Sequence, residues 1–250
     1  MTNKIDPIPK ILFDEDVTSW YSATDLIIRI AKAFGRSIYQ GVYLLDYTMK
    51  NILYMSDNLV RLSGGEVWEF KDFMDSPFIK IVHKSELKIL HEINAAFLKQ
   101  LNTFPIEERT EYILSCDFHV IKGHRQHLVN HRLAPIIIDQ NGSVRLALCL
   151  VSLSSNEKFG NIIMKKIGTD RFFEYTLQDH KWKERKKATL TSNEREVLML
   201  SVQGYTMHEI AVKLYKSIDT IKTYKRSIFS KMDVKNIAEA IIYAQNHRLI

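Results

Sequence analysis

The chain has 250 residues, 46% apolar and 26% charged, with a net charge of +6; this is room for two domains of ordinary size and the balance of a globular protein rather than a disordered one. No run approaches the roughly 18 apolar residues of a membrane helix, and MTNKIDPIPK lacks the apolar stretch of a signal peptide, so a cytoplasmic protein without a membrane partner is expected. Residues 181–250 hold 14 Lys or Arg against 7 Asp or Glu, so the basic excess sits on the last quarter, the distribution of a nucleic-acid binder attached to a neutral body.

In chain order, residues 1–35 read as an irregular lead-in followed by a helix. Leu26, Ile27, Ile30 and Phe34 recur at helical spacing, Ser22 or Thr24 is placed to cap the start, and Gly35 to end it. GVYLLDYT and NILYMSD read as two strands joined near Met49–Asn51. Short helical pieces are expected over 58–78, punctuated by Gly64 and Gly65. Residues 84–101 form a longer helix with Leu87, Leu90, Ile93, Phe97 and Leu101 along one side. Strands follow at 111–122, 127–138 and 144–154, and the Asn141-Gly142 pair marks a hairpin; successive hairpins imply an antiparallel sheet. Residues 161–167 and 171–177 form a further hairpin, with a helix as the alternative for 161–167. HKWKERKK, at 180–187, is polar and basic without an apolar period, and reads as a linker.

Residues 188–250 read as four helices. Thr191 precedes Glu194, Thr206 precedes Glu209 and Asn236 precedes Glu239, each by three residues, the spacing of a capping box; Ser217 is a fourth cap. Val197 and Leu198, then Ile210, Ala211 and Leu214, then Ile221, Ile228 and Met232, then Ile237, Ala240, Ile241 and Ala244 supply four inward faces. Gly204 falls where the first helix must turn, which suits a residue free to take positive φ. The third helix presents Lys222, Thr223, Lys225 and Arg226 on its other side, with Tyr224 among them and Asp219 as its one acid. A short helix, a tight turn and a helix with a basic outer face make a helix-turn-helix. Such a helix fits the major groove, where Lys and Arg donate to guanine O6 and N7, and Thr bonds either way and offers a methyl to thymine.

These residues carry a family resemblance. Leu190-Thr191, Glu194, Glu196-Val197-Leu198, Gly204, the EIA of 209–211, the TIK of 220–222 and Lys231-Met232 with Val234 resemble the LuxR-type helix-turn-helix. The resemblance implies that 218–232 is the recognition helix and that Glu194, Leu198 and Gly204 are structural. It places Lys222, Thr223 and Arg226 where the family reads bases, and gives the last helix a part in pairing subunits. Ser217, Thr220, Tyr224, Lys225 and the basic run at 181–187 are the candidate phosphate contacts. The sequence departs from the pattern at Tyr224, where His is common, at Asn193, where Arg is common, and at Lys216, where an apolar residue is frequent.

The order helix, two strands, short helices, long helix and three antiparallel strands resembles a PAS domain at about 36–156, and IVHKSELKIL at 81–90 is similar to the start of its long helix. The expected fold class is therefore α+β: residues 1–35 as lead-in and helix, a PAS-like antiparallel sheet domain at 36–156, a hairpin or helix and basic linker at 157–187, and an all-α, four-helix LuxR-type domain at 188–250. No reactive-Cys flavin phrase is present, His83 and His91 are weak candidates for haem, and His119, His124, His127 and His131 lie in strand where their spacing does not suit a metal; the cofactor is unknown and no metal site is expected. Cys116 and Cys149 read as buried, inert thiols. No GxSxG, phosphate-cradling Gly loop or HExxH occurs, so no enzyme is expected. The reading is a sequence-specific DNA-binding transcription regulator whose PAS-like domain senses a small-molecule ligand or mediates dimerisation. Double-stranded DNA, a second copy of the chain and RNA polymerase are the candidate partners. Two alternatives are a response regulator with a divergent phosphoreceiver-like input, for which Asp14, Asp16 and Asp46 would be the acids, and a sigma-factor-like protein.

Overall fold

A computed structural model describes residues 23–63, 81–122, 124–156, 158–247 and 249–250. The chain runs α1 (Ala23–Ser37), β1 (Gly41–Asp46), β2 (Asn51–Met55), α2 (Asp57–Ser63), α3 (Lys84–Leu101), a 3-10 turn (Ile106–Glu111), β3 (Tyr112–Lys122), β4 (Arg125–Ile138), β5 (Val144–Leu153), β6 (Gly160–Lys166), β7 (Arg171–Thr176), β8 (Lys181–Lys186), α4 (Ser192–Val202), α5 (Met207–Lys213), α6 (Ile218–Met232) and α7 (Ile237–Asn246). The lead-in, the Ser22 cap, Gly64, Gly65, Asp14, Asp16 and most of the 58–78 segment lie outside the described residues.

The eight strands form one antiparallel sheet in the order β2-β1-β5-β4-β3-β6-β7-β8. Its first five strands, 2-1-5-4-3, form the body of the amino-terminal domain. The β4–β5 connection is the Asn-Gly turn: Asp139 Oδ1 accepts from the Asn141 and Ser143 N–H groups, and Gly142 takes φ +82°, a conformation a side chain at that place would strain. Successive side chains on a strand face opposite ways, and β1 is buried throughout. Tyr43 and Leu45 join Cys149, Leu133 and Leu114 beneath Ile93, Phe97 and Leu101 of α3. Leu44 and Leu146 point to the other face, against Ala31 of α1.

α1 corrects three expectations. Its buried side is Ala31 with Ile27 and Ile28, while Leu26, Ile30 and Phe34 are exposed. Gly35 does not end the helix, which runs through it to Ser37. Gly35 is instead a point of close approach, where a Cβ would meet the Tyr54 hydroxyl at 2.6 Å. Thr24 is already helical and is not the cap.

The largest correction concerns 180–187. Lys181–Lys186 is not a linker but β8, paired along its length with β7. Its polar sequence is that of an exposed sheet edge, stitched by Arg171–Glu184 and Arg185–Glu174 ion pairs. Residues 160–166 are strand, which removes the helical alternative. The β7–β8 hairpin also binds α3: Trp182 Nε1 donates to the Ala96 carbonyl at 3.2 Å, and Tyr175 donates its hydroxyl proton to Glu92 at 2.7 Å. Among the described residues, no helix is long and apolar enough to cross a membrane.

Candidate nucleic-acid interface

Each helix of the carboxy-terminal domain begins where its cap predicts. The side chains of Thr191, Thr206, Ser217 and Asn236 accept from the N–H groups of Glu194, Glu209, Thr220 and Glu239. Glu194 and Glu209 close the box by accepting from the Thr191 and Thr206 N–H groups. Glu239 reaches one residue further back, to the Lys235 N–H. Gly204 makes the first turn at φ +86°. Val197, Leu198, Ile210, Ile221, Ile228, Met232, Ala240 and Ala244 close the core.

Glu194 does more than cap. It is 4% exposed and accepts from Ser227 Oγ at 2.6 Å and from Lys231 Nζ at 2.9 and 2.6 Å. Burial alone would raise its pKa, but the Lys231 ammonium, the Ser227 hydroxyl and the Thr191 cap outweigh it and hold the carboxyl at about 2. The first helix thus carries a carboxylate that fixes the rotation of α6 about its axis. Lys231 belongs to the family pattern, but neither it nor Ser227 is marked by local sequence as a partner of Glu194, since the contact spans more than 30 positions.

With that face fixed, the opposite one is set. Lys222, Thr223 and Arg226 are all exposed and, at i, i+1 and i+4, share one strip of α6. Lys222 rests on Asp219 at 3.0 Å. Thr223 donates its hydroxyl proton to the Asp219 carbonyl at 2.9 Å, which leaves its oxygen as an acceptor. Of the predicted phosphate contacts, Ser217 is the exposed cap, and Thr220, Tyr224 and Lys225 are half-buried. Thr220 Oγ1 shares a hydrogen bond with Ser217 Oγ at 2.9 Å. Desolvation lowers the Lys225 pKa, a cost that a neighbouring phosphate would offset. The basic run is now distributed: Lys181, Lys183, Arg185 and Lys186 are exposed on β8, with Lys183 and Arg185 paired to Asp179 and Glu174.

Two of the three departures from the family pattern, Asn193 and Tyr224, touch. Asn193 Nδ2 donates to the Tyr224 hydroxyl oxygen at 3.1 Å, which leaves the phenolic proton free to donate outward. Asn193→Ala is expected to weaken binding to any duplex about equally, by roughly 3- to 5-fold, as loss of one oriented phosphate donor does. Anisotropy titrations on two unrelated duplexes check this; loss on one sequence alone would make the pair a base reader.

Of the histidines and cysteines of the sheet domain, Cys116, Cys149 and His131 lie near Tyr43 on one buried face. His83 is hydrogen-bonded to Ser85, His91 is exposed, and His119 pairs with Glu86 at 2.7 Å. His131 is buried and shares a 2.7 Å hydrogen bond with Tyr43; burial pulls its pKa down to about 4. Cys116 and Cys149 are buried, and burial pushes the Cys149 thiol up to about 12. Asp46 is a turn acid that accepts from the Thr48 and Met49 N–H groups. No group of three or more metal-ligating side chains occurs among the described residues.

Comparison with known proteins agrees with this geometry. Residues 188–244 match the model of bacterial regulatory proteins, luxR family. The response regulator protein VraR of Staphylococcus aureus is 43% identical over 61 residues, 24% of this chain and 29% of VraR; VraR of Staphylococcus epidermidis matches to the same extent. The chain thus spans under a third of the length of these relatives, within the carboxy-terminal part. The solved phage VqmA–DPO complex aligns over 90% of this chain and 91% of its own, at 16% identity and a TM-score of 0.36. The carboxy-terminal domain of this chain, with its capped helices and basic outer strip, is a helix-turn-helix of the luxR family of bacterial regulatory proteins.

Proposed function

We propose that the protein is a transcription regulator that reads duplex DNA with α6 and receives its signal through the PAS-like sheet domain. The observation that carries this reading is the exposed strip of Lys222, Thr223 and Arg226 on a helix whose rotation is fixed from behind by Glu194. Lys222, Thr223 and Arg226 contact base edges; Ser217, Thr220, Tyr224 and Lys225 contact phosphates, helped by the positive end of α6. One short helix reads few base pairs, so the protein acts as a homodimer on two half-sites. The input is a small molecule or a protein partner acting on the sheet domain, and RNA polymerase is the partner at the promoter. The protein works in the cytoplasm and performs no catalysis.

The response-regulator alternative loses support from the sheet. A phosphoreceiver is a parallel, alternating α/β fold, whereas every pairing here is antiparallel, and the VraR match is confined to the helix-turn-helix. The sigma-factor alternative would need a basic, aromatic helical body rather than this neutral sheet.

The test is the salt dependence of binding to a mixed-sequence duplex. Neutralising Lys181, Lys183, Arg185 and Lys186 to Gln is expected to flatten the slope of log K against log salt by about 1 to 2, since Lys183 and Arg185 already have acidic neighbours. An unchanged slope would remove β8 from the interface, and no measurable binding by the parent chain would remove the function itself.

A further inference from the structure

The carboxy-terminal domain meets the sheet through a contact that belongs to neither core. His247, just beyond α7, is 4% exposed. Its ring lies against Tyr243 of the same helix, centroids 4.2 Å apart, and against Phe172 of β7 at 4.5 Å. Phe172 stands on the opposite face of β7 from Phe173 and Tyr175, which pack with α3. Beside the stack, a cleft of about 560 Å³ separates Asn156, Phe159 and Asn161 from the start of α7.

His247 Nδ1 is buried without a hydrogen-bond partner; in water both ring nitrogens would be hydrated. Two cations also bear on the ring. Lys165 from β6 and Lys187 after β8 act on it directly, and Lys158 and Lys235 line the cleft with one acid, Glu239. A neutral imidazole tolerates that field and stacks on Phe172. An imidazolium there would be desolvated and repelled by Lys165 and Lys187.

We infer that the β6–β7 face is a docking surface for this chain's own DNA-binding domain, that His247 is the seated side chain, and that protonation of its ring releases the domain. Burial, with Lys165 and Lys187, lowers the His247 pKa from its ordinary 6.5 to about 4. Docking strength contributed by the neutral ring is therefore complete above about 6.5 and is lost as pH falls toward 4. The released-to-docked ratio rises roughly 25-fold between pH 7.5 and pH 5.0 on that basis.

The test uses the full chain with Gln178→Cys and Ser230→Cys, both exposed positions, spin-labelled for pulsed dipolar distance measurement; the native thiols are buried and stay unlabelled. One dominant distance is expected at pH 7.5, with a longer, broader population growing by the stated factor at pH 5.0. His247→Phe is expected to keep the docked distance at both pH values, since phenylalanine stacks and does not titrate. Phe172→Ser is expected to shift the distribution to the longer population at both. Identical distributions at the two pH values, a pH response that survives His247→Phe, or a docked distance that survives Phe172→Ser would each overturn the inference.

Discussion

Glu194→Ala is expected to lower the stability of the carboxy-terminal domain by about 3 kcal/mol, the order of loss when one partner of a buried ion pair is removed. The substitution leaves the Thr191 N–H, the Ser227 hydroxyl and the Lys231 ammonium without their common acceptor. Lys231 is 35% exposed at its side chain, so water recovers part of its loss and keeps the figure from rising higher. Glu194→Gln retains size and some hydrogen bonding and is expected to cost about half as much. Urea unfolding followed by circular dichroism gives both numbers; a loss under about 0.5 kcal/mol for Ala would show that the network contributes little. The carboxyl is held at about 2 against an ordinary 4.5. A depressed carboxyl stabilises fully above its unfolded value, so this contribution persists down to about pH 4.5 and disappears as pH falls through about 2.

Arg226→Ala is expected to weaken binding to the specific site by about 1–3 kcal/mol, a 5- to 150-fold loss, with little change on unrelated duplex. Arg226 is exposed on the outer strip one turn beyond Lys222, and its planar fork matches guanine O6 and N7 where a lysine offers a single point charge. Lys222 begins in an exposed pair with Asp219, and such pairs contribute little, so it can be drawn to DNA without much loss. Competitive anisotropy on specific and scrambled duplexes distinguishes the roles. Equal losses on both would make Arg226 a phosphate contact.

Features with local causes were legible in the sequence. The caps at Thr191, Thr206, Ser217 and Asn236 work over three residues, and all four are in place. The long helix at 84–101 and the Asn-Gly hairpin follow from period and turn chemistry within a short window. β8 was hidden because Trp182 is its one apolar residue and its pairing comes from β7 rather than from its own pattern. The buried side of α1 was misassigned because apolar residues occupy more than half its circumference, and the packing of Ala31 on Leu44 and Leu146, with Tyr54 close above Gly35, settles which side faces the sheet. In the interface, the exposed strip of α6 was readable from its charges. The Glu194–Ser227–Lys231 network, the Asn193–Tyr224 pair and the His247 stack join residues 31 or more positions apart, and no local period announces them.

The central claim is that α6 reads sequence. Selection of bound duplexes from a randomised pool by the full-length chain, run beside a Lys222→Ala, Thr223→Ala, Arg226→Ala triple variant, tests it most directly. The account predicts a short motif, repeated as two half-sites at a spacing of about one helical turn, enriched by the parent and lost by the variant. An unenriched pool with the parent, or the same motif recovered by the variant, would contradict it.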